Sequence, residues 1–236
     1  MRNTAATAET CETAAKDGPG RPVAGSNPAK RQQIIDGARR VFIEKGFDAA
    51  SMNDVTRAAG VSKGTVYVYF ASKEDLFEAL IEEEREKIFQ DLFTPLRRPD
   101  KLYDTLINLG KRLSTKITLP KVVLAQRTVI GASERIPELG ARFYERGPLN
   151  GHGQLVAFLK EAEAEGLLSM PDANLAAYQF SELCLAGYYR QCLFAYRTEP
   201  PTPEEIDGTV RSGVDMFLKT YGTAKLRQLE SDRPES

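Results

Sequence analysis

The chain has 236 residues, 42% of them hydrophobic, and 32 Lys plus Arg face 33 Asp plus Glu for a net charge of −1. That length allows one large or two modest domains with a sizeable core. The near-zero charge excludes a strongly basic protein and says nothing by itself about nucleic acid. The three cysteines, Cys11, Cys184 and Cys192, are odd in number and irregular in spacing. They argue against a disulfide framework and fit a reducing, cytoplasmic setting. The N-terminus has no apolar signal segment, and no apolar run approaches the roughly 20 residues of a membrane helix.

Residues 1–26 are rich in Ala, Thr, Gly and Pro without periodicity and read as a disordered leader. Within them, Gly18-Pro19-Gly20-Arg21-Pro22 has a core that can lay an arginine into an A·T-rich minor groove. It holds a single arginine, so a plain flexible leader is the simpler reading. Asn27 then Pro28 is an N-cap followed by proline at the first helical position. The helix it opens runs to Lys45, with Ile34, Ala38, Val41 and Phe42 on one stripe. Gly46 ends it, and Phe47 can fold back on the last turn.

Ser51 with Asp54 makes a capping box for a short helix ending at Ala59, and Gly60 suits the left-handed turn after it. Ser62 caps a second short helix, Lys63 to Phe70, and Ser72 with Asp75 opens a third. Two short helices across a tight glycine turn form a helix-turn-helix, whose second helix can enter a DNA major groove. Val66 and Phe70, four apart, should face the core. Lys63, Gly64 and Tyr67 then point outward, flanked by Thr65, Val68 and Tyr69. Thr65 can bond a base or phosphate, and Val68 can touch a thymine methyl. The tyrosine hydroxyls and Lys73 suit phosphates. From Lys30 to Lys73, eight basic residues face four acidic ones, a local positive footprint.

Helical periodicity continues, with no convincing strand, over Lys73–Phe93, Lys101–Ile117, Pro120–Ser133, Pro137–Glu145, Pro148–Glu165, Ala173–Ala195 and Pro203–Tyr221. Pro95 and the Arg97–Asp100 stretch read as a stop and a linker. The expected organisation is a leader (1–26), a helix-turn-helix domain (27–80), a regulatory and dimerisation domain (81–222) and a flexible tail (223–236).

The stretch from Arg31 to about Leu80 resembles the DNA-binding domain of the TetR family of bacterial transcriptional regulators. The resemblance rests on Ala38…Phe42…Gly46-Phe47, on Ala58-Ala59-Gly60-Val61-Ser62, on Gly64-Thr65-Val66-Tyr67-Val68-Tyr69-Phe70 and on Ser72-Lys73-Glu74-Asp75-Leu76. It implies an all-α, two-domain homodimer and base contacts from Lys63, Gly64, Thr65 and Val68. It also implies phosphate contacts at Ser51, Tyr67, Tyr69 and Lys73, with a further contact at Asn53. Tyr69 departs from the histidine that many relatives carry, and either can bond a phosphate. Leu119 to Pro148 resembles the C-terminal domain of the AefR-like branch. The family association implies a repressor released by a small molecule.

Ala173–Ala195 carries apolar residues nearly all round, which predicts burial on two faces. With the stripe of the last helix, it predicts a four-helix dimer seam using Leu175, Tyr178, Leu185, Tyr189, Ile206, Val210, Val214 and Phe217. Gly208 and Gly213 would let a partner helix come close. Candidate effector-lining residues are Phe89, Tyr103, Gln126, Arg127, Phe143, Phe158, Phe180, Cys184 and Tyr188, each of which also reads as plain core. An enzyme is not expected. His152 is the only histidine, and nucleophile-elbow, metal-cluster and phosphate-loop motifs are absent, so neither cofactor nor metal is called for. Cys184 and Cys192, about 12 Å apart on one helix, read as buried structural thiols rather than a redox pair.

Overall fold

The computed structural model describes residues 25–89, 92–94, 96 and 101–231. Residues 1–24 of the leader, with its Gly18–Pro22 fragment, Pro95 and the 97–100 linker therefore lie outside the described residues. The fold is all-α, with no strand among the described residues. No helix among them is long and apolar enough to cross a membrane.

Three helices build the N-terminal unit: α1 (Pro28–Ala49), α2 (Met52–Ala59) and α3 (Lys63–Tyr69). Asn27 accepts from the Lys30 N–H and caps α1 as expected, and Gly46 breaks its helical path with φ 76° and ψ 168°. Phe47 then folds back, its ring 5.8 Å from Phe42 and 4.7 Å from Phe77. The Ser51–Asp54 capping box forms, and Gly60 takes the left-handed conformation at φ 64°. At Gly37 a Cβ would sit 2.7 Å from Ala59 Cβ and 2.8 Å from its Cα and N, so only glycine admits α2 this closely. The carbonyls freed at the end of α2 are taken by α1 side chains. Gln33 donates to Ala59 at 2.7 Å, and Arg40 donates to Ala58.

Helix α4 (Lys73–Phe89) is followed by α5 (Leu102–Ile117), α6 (Pro120–Ser133) and α7 (Pro137–Tyr144). Val129 and Ala132 of α6 and Leu139 of α7 are buried in the same apolar cluster as Ile34, Phe42, Val55, Val66 and Leu76. The core of the N-terminal unit is thus completed from beyond residue 80. Polar ties follow the same seam: Arg142 Nε donates to Glu78 at 2.8 Å, and Arg135 pairs with Asp48 at 2.5 Å.

The second core packs α5 against α8 (Asn150–Ala164), α9 (Ala173–Cys184) and α11 (Pro203–Tyr221). Three expectations need correction here. The helix expected from Pro148 starts at Asn150, after a π-helical turn over Glu145–Leu149 that contains Pro148. The single helix expected over Ala173–Ala195 is two, α9 and α10 (Tyr188–Leu193), parted at Gly187 with φ 83° and ψ −78°. That break leaves the Cys184 carbonyl without a helical partner, and the Ser114 hydroxyl (2.9 Å) and the Tyr188 hydroxyl both donate to it. The tail beyond Tyr221 is not featureless, because α12 (Ala224–Ser231) buries Leu226.

The expected dimer residues also divide. Ile206, Val210, Val214 and Phe217 face the chain's own core at 6% exposure or less, so they are not available to a partner. The physical reason is that α11 packs its apolar stripe on α5 and α9. Gly213 serves that packing, since a Cβ there would meet the Leu183 backbone carbon at 3.1 Å. Leu185 and Tyr189 are partly buried against the same core. Leu175 and Tyr178, by contrast, stay exposed at 52% and 43%, and Met216 on the outer side of α11 is 57% exposed.

Cys184 belongs to this core, and Cys192 is buried as well. Burial pushes Cys184 up to about 12 and raises Cys192. Thiolate is the attacking species, so in a Cys11→Ser background both thiols should resist maleimide at pH 8 and react only as the protein unfolds. Stoichiometric labelling of the native chain within minutes would contradict that assignment.

Candidate nucleic-acid interface

The α2–turn–α3 unit presents one continuous outward surface. Val66 on α3 is fully buried and Phe70, which ends the helix, nearly so, and together they fix its rotation. Lys63 and Gly64 are exposed, Tyr67 is 46% exposed and Val68 51%, while Thr65 and Tyr69 are half-buried. Seven residues are too few for a helix to stand alone. Its conformation is held by the Ser62 cap, whose Oγ accepts from the Thr65 N–H at 3.1 Å. The Thr65 hydroxyl lies 2.7 Å from Ser62 Oγ, so it is oriented before any ligand arrives. Gly64 has only the Ser62 hydroxyl within 4 Å of where its Cβ would be, leaving room on its outer side. The Lys63 ammonium lies 5.9 Å over the Tyr67 ring, which places a cation and a phenol on the same patch.

Ser51 and Asn53 are both exposed at the start of α2. The Ser51 hydroxyl donates to Asp54 at 2.6 Å and also accepts from the Asp54 N–H. Hydrogen bonds from Lys45 and Ser51 hold the Asp54 carboxyl well below the usual carboxylate range. The charge kept there draws Lys45 (2.8 Å) and Arg57 (2.6 Å) around the base of α2.

Lys73 turns its side chain toward α1. Its ammonium donates to the carbonyls of Phe47 (2.8 Å), Ala50 (3.2 Å) and Asp48 (3.3 Å) and lies 4.4 Å over the Phe47 ring. All three donors are committed to closing the end of α1. What remains for an anion at this position is the backbone N–H at the start of α4. Sequence reasoning also missed Gly37, Gln33 and Arg40, which lie on α1 and seat α2. A glycine inside an otherwise good helix was the available signal.

The candidate effector residues do not form one lining. Phe158, Phe180, Cys184 and Tyr188 are packed in the C-terminal core with Phe89 and Tyr103 beside them. Phe143 belongs to the other cluster, next to Leu139, because α7 turns toward the N-terminal unit. Gln126 accepts from the Tyr189 hydroxyl at 2.5 Å. Arg127 donates to the carbonyls of Leu193 (2.7 Å) and Cys192, closing the end of α10. Both α6 side chains therefore tie α6 to α10. Among the described residues no group of three or more His, Cys, Asp or Glu could hold a metal ion.

Comparison with known proteins agrees with this geometry. Residues 34–80 match the family model described as bacterial regulatory proteins, tetR family. Residues 104–223 match that of the AefR-like transcriptional repressor, C-terminal domain. The chain is 43% identical over 60 residues to the HTH-type transcriptional repressor Rv1474c of Mycobacterium tuberculosis, spanning 25% of this chain and 32% of that protein. It is 27% identical over 153 residues to the HTH-type transcriptional regulator UidR of Escherichia coli, spanning 62% of this chain and 72% of that one. Among solved structures, the flavonoid-responsive regulator FrrA superposes with a TM-score of 0.73 at 32% identity, covering 84% of this chain and all of that one. A TetR-family regulator from Mesorhizobium loti gives a TM-score of 0.74 at 25% identity, covering 83% and 98%. The chain belongs to the TetR family of bacterial transcriptional regulators, with a C-terminal domain of the AefR-like kind.

Proposed function

We propose that the protein is a homodimeric repressor that binds a palindromic operator and releases it on binding a small molecule. The observation that carries this reading is the outward surface from Lys63 to Tyr69 on a helix whose rotation is set by buried Val66 and Phe70. One seven-residue helix makes few base contacts, so two held at fixed separation read two half-sites. Selection of bound DNA from a random library with the purified chain tests this. The expected product is an inverted repeat, and a product without symmetry or without sequence preference counts against the reading.

The partner surface we assign is the outer side of α9 and α11. Leu175, Tyr178 and Met216 supply exposed apolar area there. The Tyr178 ring stacks on His152 at 3.8 Å, which holds it in place. Tyr178→Glu with Met216→Lys should convert the dimer to a monomer by analytical ultracentrifugation at micromolar concentration. A double variant that sediments as the wild type would place the seam elsewhere.

For the effector, FrrA is by its name flavonoid-responsive, and an apolar aromatic ligand suits the phenylalanine-rich C-terminal core here. Its route to the DNA surface runs through α6 and α7. Arg127 ties α6 to α10, and the two helices share the N-terminal core through Val129, Ala132 and Leu139. A ligand that displaces them shifts the spacing of the two reading helices, provided that it binds the shifted arrangement more tightly.

A further inference from the structure

We infer that the tip after α10, Phe194 to Tyr196, clasps a second copy of this chain and so fixes the separation of the two reading heads. The inference rests on the homodimer reading given above. Phe194 and Tyr196 are 79% and 84% exposed, the most exposed of the large apolar side chains among the described residues. Between them Ala195 holds a left-handed φ of 57°, the one non-glycine residue with positive φ among the described residues. An alanine takes that conformation at a cost, so it persists where surrounding bonds impose it. Here they do. The Arg127 side chain donates to the Leu193 carbonyl at 2.7 Å, the Ala195 N–H to Cys192 at 3.1 Å and the Arg197 N–H to Gln191 at 3.1 Å. On the far side the Arg197 guanidinium donates to the Glu199 carbonyl and to the Glu205 carboxylate, each at 3.0 Å. The backbone is thus fixed while both rings stand in solvent, so little freedom is left to lose when a partner covers them.

The tip continues the surface assigned to the seam. Leu175, Tyr178 and Glu182 are all exposed and follow at spacings of three and four on α9, so they share its outer side. Glu182 pairs with Arg190 at 3.2 Å across the break at Gly187, and Arg190 stands four residues before Phe194. The outward strip therefore runs on from α9 to the tip. A stable dimer buries about 800 Å² per partner, more than the half-exposed Leu175, Tyr178 and Met216 can supply. Phenylalanine and tyrosine carry about 150–250 Å² each, so the two rings add about 300 Å². In a two-fold contact each tip meets the partner once, and the gain is made twice. Arg127 also joins the tip to α6, whose Val129 and Ala132 lie in the core of the reading head. A tip held by the partner therefore holds the two heads at one distance.

The test uses the full chain, a variant with benzoylphenylalanine in place of Tyr196, and the double variant Phe194→Ser with Tyr196→Ser. Irradiation of the purified benzoylphenylalanine variant should give a covalent dimer. The double serine variant should keep its circular dichroism spectrum, since neither ring is buried. Its dimer should dissociate at least about tenfold more readily by analytical ultracentrifugation. At concentrations where both proteins are dimers, moving the half-sites of the selected operator apart by one base pair should cost the wild type more than about tenfold in affinity and the serine variant less than about threefold. A native dimer that yields no covalent dimer, or a serine variant that dimerises as tightly as the wild type, overturns the inference. A weakened dimer with an unchanged spacing preference overturns its second half, leaving a tip that only adheres. A wild type that sediments as a monomer would instead sink the homodimer reading, and this inference with it.

Discussion

Gly37→Ala is expected to lower the unfolding midpoint and to remove most operator binding, although alanine is the better helix former. The gain in helix propensity is about 1 kcal/mol. Against it stands a Cβ 2.7–2.8 Å from three Ala59 atoms, two of them backbone, on a helix whose end is also held by Gln33 and Arg40. Backbone cannot swing aside as a flexible side chain can, and overpacking of this kind costs roughly 1–3 kcal/mol. If α2 withdraws to relieve the clash, α3 moves with it across the three-residue link, and the reading surface is displaced before stability is lost outright. The net change should be a drop of roughly 2–6 °C by differential scanning calorimetry, with more than about tenfold loss in operator affinity by fluorescence anisotropy. Gly131→Ala supplies the opposite sign. Nothing lies within 4 Å of its Cβ position in α6, so the propensity term should act alone and raise stability by about 0.5–1 kcal/mol. A Gly37→Ala protein as stable and as tight-binding as the wild type would mean that α2 is not seated as described.

The second large effect is at the reading surface. Thr65→Ala combined with Tyr67→Ala should reduce specific operator binding by at least about 100-fold, since each lost base or phosphate contact is worth roughly 1–3 kcal/mol. Neither residue is fully buried, and the rotation of α3 depends on Val66 and Phe70 instead. The double variant should therefore keep its circular dichroism spectrum and its sedimentation coefficient. The remaining binding should be non-specific and should weaken steeply with salt, because phosphate contacts release counterions. Specific binding retained in the double variant would assign recognition to another helix.

Much of this was legible in the residues because local chemistry set it. The Ser51–Asp54 box, the Gly60 turn and the Ser62 cap are short-range devices, and each formed where its residues predicted. The inward pair Val66 and Phe70 followed from a spacing of four. What stayed illegible was decided by contacts distant in sequence. The Lys73 ammonium meets three carbonyls that lie 23 to 26 residues earlier. The stripe on α11 was read as a seam because periodicity reveals an apolar face but not which helix covers it, and α5 and α9 of the same chain do so. The break at Gly187 was hidden by apolar residues on both sides. The hydroxyls of Ser114 and Tyr188 both donate to the carbonyl it frees.

The sharing of the N-terminal core by α6 and α7 bears on how such a regulator can be reused. A reading head excised at residue 80 would leave uncovered the apolar surface that Val129, Ala132 and Leu139 normally close, and it would lose the partners of Glu78 and Asp48. A chimaera that grafts this head onto a foreign sensor therefore has to carry the α6–α7 hairpin along, or supply a substitute lid of matching shape. The boundary that matters for evolution by shuffling is accordingly not the one drawn along the chain. It runs through space, behind Leu139.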